Sequence, residues 1–161
     1  MPEISPGLRC ATGSAVVTPG ADLQARCVIH AVGPVHPSAA RWQKMVYAGK
    51  HARNHDPPLG VPQDFRSYDA DEVPALLASA YRSAMAAATK RKLRAVAFPP
   101  IGVGADGCKP AAASEIALEH CLKRKALGGL EVVEFVISSP EVLKAFQREA
   151  DKKVWYGVPA K

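Results

Sequence analysis

Apolar residues recur along the chain with two different periods. Ser14-Ala15-Val16-Val17-Thr18 and Cys27-Val28-Ile29-His30-Ala31-Val32 are short β-prone runs. The first closes on Pro19-Gly20 and the second on Gly33-Pro34, both turn dipeptides. Such spacing predicts an antiparallel pair or two neighbouring strands. From Asp71 the period changes. Asp71-Glu72-Val73-Pro74 is a helix start, with acids before and in the first turn and proline tolerated there. Leu77, Tyr81, Ala84 and Ala88 follow at helical spacing, with Leu76 and Ala80 beside them, so Tyr81 is expected to face the core.

Ala95 to Phe98 is again a short apolar strand. Pro110 opens a second helical stretch over 111–127, in which Ala113, Ala117 and Cys121 make one stripe flanked by Ile116, Leu118 and Leu122. Gly128-Gly129 ends it. Residues 131–137 predict another strand. Ser139 then serves as N-cap to a helix whose first position is Pro140 and whose apolar face is Val142, Leu143 and Phe146. This β–α alternation predicts an α/β layered domain with a mainly parallel central sheet.

Three stretches lack a period. Residues 1–9 carry two prolines and a glycine, and 35–70 hold His36, His51 and His55 without zinc-ligand spacing. A stretch like the second, inside a compact domain, is an insertion, a functional lid or partly disordered. The tail from 151 to 161 is polar, and its Trp155-Tyr156 pair has no evident role. One domain over residues 1–150 is therefore expected.

Charge changes this picture little. The 161 residues carry a net charge of +6 and a pI near 9.3. The basic runs Lys90-Arg91-Lys92 and Lys123-Arg124-Lys125 lie near predicted helix ends, where they complement the dipole, so a nucleic-acid partner is weakly supported. No apolar run is long enough to span a bilayer, and the N-terminus lacks the apolar core of a secretory signal. Cys10, Cys27, Cys108 and Cys121 show no CxxC or zinc pattern and read as reduced thiols of an intracellular protein, cytoplasmic or nuclear. Cys27 and Cys121 are expected in the core. Cys108 lies close to a helix N-terminus, which would lower its pKa. With no His or Asn beside it in sequence, an inert thiol is the stronger expectation. Neither a metal nor a cofactor is expected.

The chemistry concentrates between strand Ala95–Phe98 and the helix opened by Pro110. Glycines 102, 104 and 107 allow tight turns and close approach of the backbone to a ligand. Strand, glycine loop and helix N-terminus together present N–H groups and a positive dipole end to a phosphate. Gly102-x-Gly104-x-x-Gly107 matches the dinucleotide fingerprint literally, yet Pro99 and Pro100 interrupt the strand before it. Past the next strand, Ser138 and Ser139 stand where a ribose-binding acid should be. No Gly-Lys-Ser/Thr follows, so it is not a P-loop.

These residues resemble the macro domain family. The resemblance rests on Cys10-Ala11-Thr12-Gly13-Ser14-Ala15-Val16-Val17-Thr18-Pro19-Gly20 and Val28-Ile29-His30-Ala31-Val32-Gly33-Pro34. It continues through Leu76-Leu77, Tyr81-Arg82-Ser83, Ala97-Phe98-Pro99-Pro100-Ile101 and Gly104-Ala105-Asp106-Gly107 in the family's order. The subgroup it is most similar to includes mono-ADP-ribosyl hydrolases. The resemblance implies a three-layer α/β/α fold with a mixed central sheet that binds ADP-ribose, or an ADP-ribosylated protein, at the strand C-terminal ends. It places Gly102, Val103, Gly104, Ala105, Asp106 and Gly107 around the pyrophosphate and proximal ribose. It also implies segments absent from this sequence: a strand with Gly-Asp-Ile/Val-Thr, and a strand ending in Asn-Ala-Ala-Asn that is internal to the sheet. On that basis the domain is expected to be N-terminally incomplete, to have no catalytic residue, to bind ADP-ribose with impairment, and to leave the Ala95–Phe98 strand with an unpaired edge. Asp106 stands where the family has an aromatic, and a carboxylate beside a pyrophosphate is repulsive. The alternatives are a mono-ADP-ribosyl or O-acetyl-ADP-ribose hydrolase, and a degenerate fold serving as an interaction module.

Overall fold

The computed structural model describes residues 10–37 and 68–154; the expectations for 1–9, His51, His55 and the Trp155-Tyr156 pair lie outside them. Strands β1 (Ala15–Pro19) and β2 (Cys27–Ala31) form an antiparallel pair, the first of the two arrangements their spacing allowed, with Val16 opposite His30 and Thr18 opposite Val28. Helix α1 (Glu72–Lys90) follows. Asp71 makes no side-chain cap; instead the Glu72 carboxylate accepts the Asp69 N–H at 3.1 Å. Strand β3 (Ala95–Phe98) leads through the glycine loop into α2 (Pro110–Cys121), a short α3 (Arg124–Leu127), β4 (Val132–Phe135) and α4 (Pro140–Val154). β3 and β4 pair in parallel, Phe98 opposite Phe135. Among the described residues no helix is long and apolar enough to cross a membrane.

Period-two alternation sorts the side chains of the strands. Val96, Phe98, Val133 and Phe135 turn to one face, where α1, α2 and α4 pack. There the Tyr81 and Phe98 ring centroids are 5.5 Å apart, Phe98 and Phe135 5.8 Å, and Phe135 and Phe146 5.0 Å. Ala113, Ala117 and Cys121 are fully buried along α2, as their stripe predicts. Burial alone pushes the Cys121 thiol up to about 12.

Three expectations are corrected in detail. The single helix over 111–127 is two, because Lys123 adopts an extended backbone and lets α3 fold back against α1, where the Thr89 hydroxyl donates to the Ala126 carbonyl. Leu143 is 41% exposed: the buried stripe of α4 is Val142, Phe146 and Glu149, spaced four and three residues apart, and Leu143 falls beside it. Helix α4 also continues to Val154, into the stretch read as a polar tail. Glu149 tolerates burial because Lys152 and Lys153 reach its carboxylate at 3.0 and 3.3 Å. Burial opposes its charge, but the two lysines outweigh that and hold the carboxyl below the ordinary range.

The sheet is mixed but comes in two pieces. β1–β2 is one ladder and β3–β4 another, and among the described residues no ladder joins β2 to β3.

Candidate functional site

The loop after β3 is held from the core outward. Tyr81 is fully buried among the aromatic rings, yet its hydroxyl oxygen accepts the Ile101 N–H at 3.0 Å. Burial keeps that phenol protonated far above its ordinary pKa. The next residues turn on three glycines with positive φ: Gly102 at 84°, Gly104 at 71° and Gly107 at 82°. Their surroundings differ. A Cβ on Gly102 would lie 3.2 Å from Leu77 Cδ1 and 3.3 Å from Cys108 Sγ, so this glycine packs against the core. A Cβ on Gly104 would meet nothing within 4 Å, so this one faces open space.

Within the loop the Cys108 N–H donates to the Gly102 carbonyl at 2.9 Å and the Gly107 N–H to the Gly104 carbonyl at 3.1 Å, closing a short 3-10 turn over Gly104–Asp106. The His36 N–H donates to the Asp106 carbonyl at 2.7 Å, tying the segment after β2 to the loop. Among the described residues the N–H groups of Gly102, Val103 and Gly104 donate to no main-chain carbonyl. Main-chain donors without a main-chain partner, on a glycine loop that leads into a helix, are groups of the kind that can donate to an anion.

The loop borders a cleft of about 540 Å³ that also takes in Lys109 and Pro110 at the start of α2, and Ser139 and Glu141 at the start of α4. Two helix N-termini therefore border one space, and their dipoles favour a negative charge in it. Ser139 caps α4, accepting the Val142 N–H at 3.5 Å. The cleft lies beyond the C-terminal ends of β3 and β4, where open α/β sheets bind ligands.

Of the six residues predicted for the loop, Val103, Gly104 and Gly107 border the cleft, while Gly102 packs against Leu77 and Cys108. The signals that sequence reasoning missed are the Tyr81 hydroxyl, the His36 N–H and the start of α4. Tyr81 alone carried a hint, being the one polar-tipped residue in an apolar helical stripe. Cys108 is buried against Gly102, and burial, then the Asp106 carboxylate, pushes its thiol pKa up despite the nearby helix start, which agrees with the inert thiol expected over a reactive one. His30 is exposed on β2, with its Nε2 2.8 Å from the Thr18 hydroxyl. Among the described residues no group of three or more His, Cys, Asp or Glu could hold a metal.

The geometry defines an α/β protein with a glycine loop at the C-terminal ends of its parallel strands. The sequence profile of the macro domain family matches residues 3–53 and 62–117, and the chain belongs to that family. It is 36% identical over 110 residues to an O-acetyl-ADP-ribose deacetylase of Cronobacter turicensis, a match covering 68% of this chain and 46% of that protein. It is 32% identical over 142 residues to a protein of the same name from Salmonella gallinarum, covering 86% of this chain and 62% of the relative. The chain thus spans about half to just under two thirds of these relatives. Among solved structures, the Oceanobacillus iheyensis macrodomain with ADP shares the fold, with a TM-score of 0.68 at 24% identity over 94% of this chain and 64% of that one. The Trypanosoma brucei macrodomain in complex with ADP-ribose gives 0.60 at 26% identity, over 86% of this chain and 46% of that one.

Proposed function

We propose that this chain binds ADP-ribose, free or attached to a protein, with the pyrophosphate held by loop 102–107. The observation that carries this reading is the trio of N–H groups at Gly102, Val103 and Gly104, donating to no main-chain carbonyl, beside the start of α2. The ADP-ribose in the Trypanosoma brucei complex and the names of the bacterial relatives support the ligand class. We also propose that affinity is modest, since the family resemblance places Asp106 beside the pyrophosphate, where a carboxylate is repulsive. Four free cysteines and such a ligand support a cytoplasmic or nuclear location. Calorimetric titration with ADP-ribose tests the reading. Gly104→Glu, whose side chain enters open space while adding bulk and charge, is expected to abolish binding and keep the fold. Equal affinity in both proteins would refute the loop assignment.

A second reading, hydrolysis of the O-acetyl-ADP-ribose ester, is favoured by the relatives' names alone. Among the described residues bordering the cleft there is no paired nucleophile and base. Turnover of O-acetyl-ADP-ribose is expected at the buffer rate. Faster turnover that Asp106→Ala removes would establish the enzyme reading.

A further inference from the structure

The basic run that ends α1 meets an arginine of the hairpin at the end of β3 away from the glycine loop. Lys90, Arg91 and Lys92 stand just before β3, and loop 102–107 stands after it. There Arg91 and Arg26, the residue before β2, border one cleft of about 350 Å³. Val17, Pro19, Cys27 and Leu93 give it apolar walls, and Thr18 adds a hydroxyl. Among the described residues no carboxylate borders it, Asp22 of the adjoining loop included. Other cations near helix and strand ends are matched by acids: Arg94 by Glu131, Lys123 by Glu119, and Lys152 and Lys153 by Glu149. Arg26, Lys90, Arg91 and Lys92 are exposed and make no ion pair among the described residues.

The backbone holds one of these cations under strain. The Leu93 N–H donates to the Ala88 carbonyl at 3.2 Å and the Lys92 N–H to the Thr89 carbonyl at 2.9 Å, the paired bonds of a Schellman helix end. Such an ending puts the residue after the C-cap at positive φ, a conformation that glycine alone takes freely. Here that residue is Lys92, with φ 51°. The helix dipole does not call for it, because Lys90 already places a cation in the last turn. A strained backbone beneath an unmatched charge points to use of the side chain.

We propose that this rim binds single-stranded nucleic acid, with the backbone lying between Arg26 and Arg91 and with Lys90 and Lys92 on neighbouring phosphates. The planar fork of arginine suits phosphate oxygens, and four unmatched cations on one rim displace the counterions of a phosphate chain. A cleft of this size admits one strand rather than a duplex. A bilayer fits less well: the adjoining loop 20–26 exposes one large apolar residue, Leu23, and surface insertion scales with buried apolar area. The basic run by itself reads as a helix end; the fold adds Arg26 across the cleft, the missing carboxylates and the strain at Lys92.

The test is fluorescence anisotropy of a labelled oligothymidylate of about twelve nucleotides titrated with the whole chain. With four phosphate contacts, affinity should fall about 50-fold between 50 and 200 mM salt. Arg26→Ala combined with Arg91→Ala should weaken binding about 25-fold at 0.1 M salt and flatten the salt slope by about 1.4. Lys92→Gly removes one charge and relieves the backbone, so binding should weaken about fivefold while the thermal midpoint holds or rises. That variant keeps the test decisive even if the double variant does not fold. Saturating ADP-ribose should leave oligonucleotide binding unchanged, because loop 102–107 lies at the other end of β3. No binding at 50 mM salt, displacement by ADP-ribose, or undiminished binding by Lys92→Gly would overturn the proposal. So would tighter binding to a duplex of the same length or to phosphatidylserine vesicles.

Discussion

The β3–β4 pair has two faces made from the same eight residues, and they have little in common. On the helix-covered face Phe98 is 5% exposed and stacks on Phe135, which in turn meets Phe146. On the other face Ala95, Ala97 and Glu134 are exposed, and Val132 is 52% exposed. The alternation that puts aromatic rings on one side leaves small and polar groups on the other. The glycine loop takes its core support from the covered face, with a second tie from the His36 N–H to the Asp106 carbonyl. Tyr81 belongs to the aromatic cluster through its ring and to the loop through its hydroxyl, so one residue passes the rigidity of the core to Ile101 and onward to Gly102.

The largest expected effect follows from this contrast. Phe98→Ala should cost about 3–5 kcal/mol in urea unfolding, from lost burial and the cavity left behind. Val132→Ala, at the start of the same ladder but on the open face, should cost about 0.5 kcal/mol or less. Equal losses would erase the distinction between the faces. Next in size is Tyr81→Phe. It keeps the ring and leaves the Ile101 N–H without its acceptor, for about 1–3 kcal/mol. ADP-ribose affinity should fall with it. Lost stability with unchanged affinity would show that the loop keeps its shape without that hydroxyl.

The smallest effects are those of pH, and they come from the covered side. Burial, helped by Lys123, lowers the His120 pKa in the folded chain. The unfolded chain then binds more protons, and stability should rise with pH through the window just below the ordinary histidine value of about 6.5. Glu149, also held below its ordinary range, stabilises above about pH 4.3, and that contribution is lost as acid protonates it in the fold. Cys108 and Cys121 are shifted up, so their thiols ionise first in the unfolded chain, and stability should decline above about pH 8.5. Thermal unfolding at fixed ionic strength across this range should therefore show a plateau near neutrality. A maximum at pH 5 would contradict the His120 assignment, and unchanged stability below pH 4 or above pH 9 would contradict those of Glu149 and the two cysteines.

The elements with strong local signals could be read from the residues. Pro19-Gly20 fixed the hairpin, the Leu77–Tyr81–Ala84–Ala88 spacing fixed the buried face of α1, and glycines 102, 104 and 107 marked the loop through a need for positive φ that structure meets at each. What stayed hidden depends on tertiary placement. Leu143 and Val142 are equivalent by composition, and only the position of α2 decides which is covered. Proximity to a helix start suggested a lowered thiol pKa at Cys108, but packing against Gly102 reverses the sign.

The central claim is that main-chain N–H groups of loop 102–107 hold the ligand. Titration of the ¹⁵N-labelled chain with ADP-ribose tests it most directly. The account predicts saturable shifts at the Gly102, Val103 and Gly104 amides and in the first turn of α2, with Val132 and Glu134 on the open face unmoved. Saturable binding that leaves the three loop amides in place while other residues shift would contradict it.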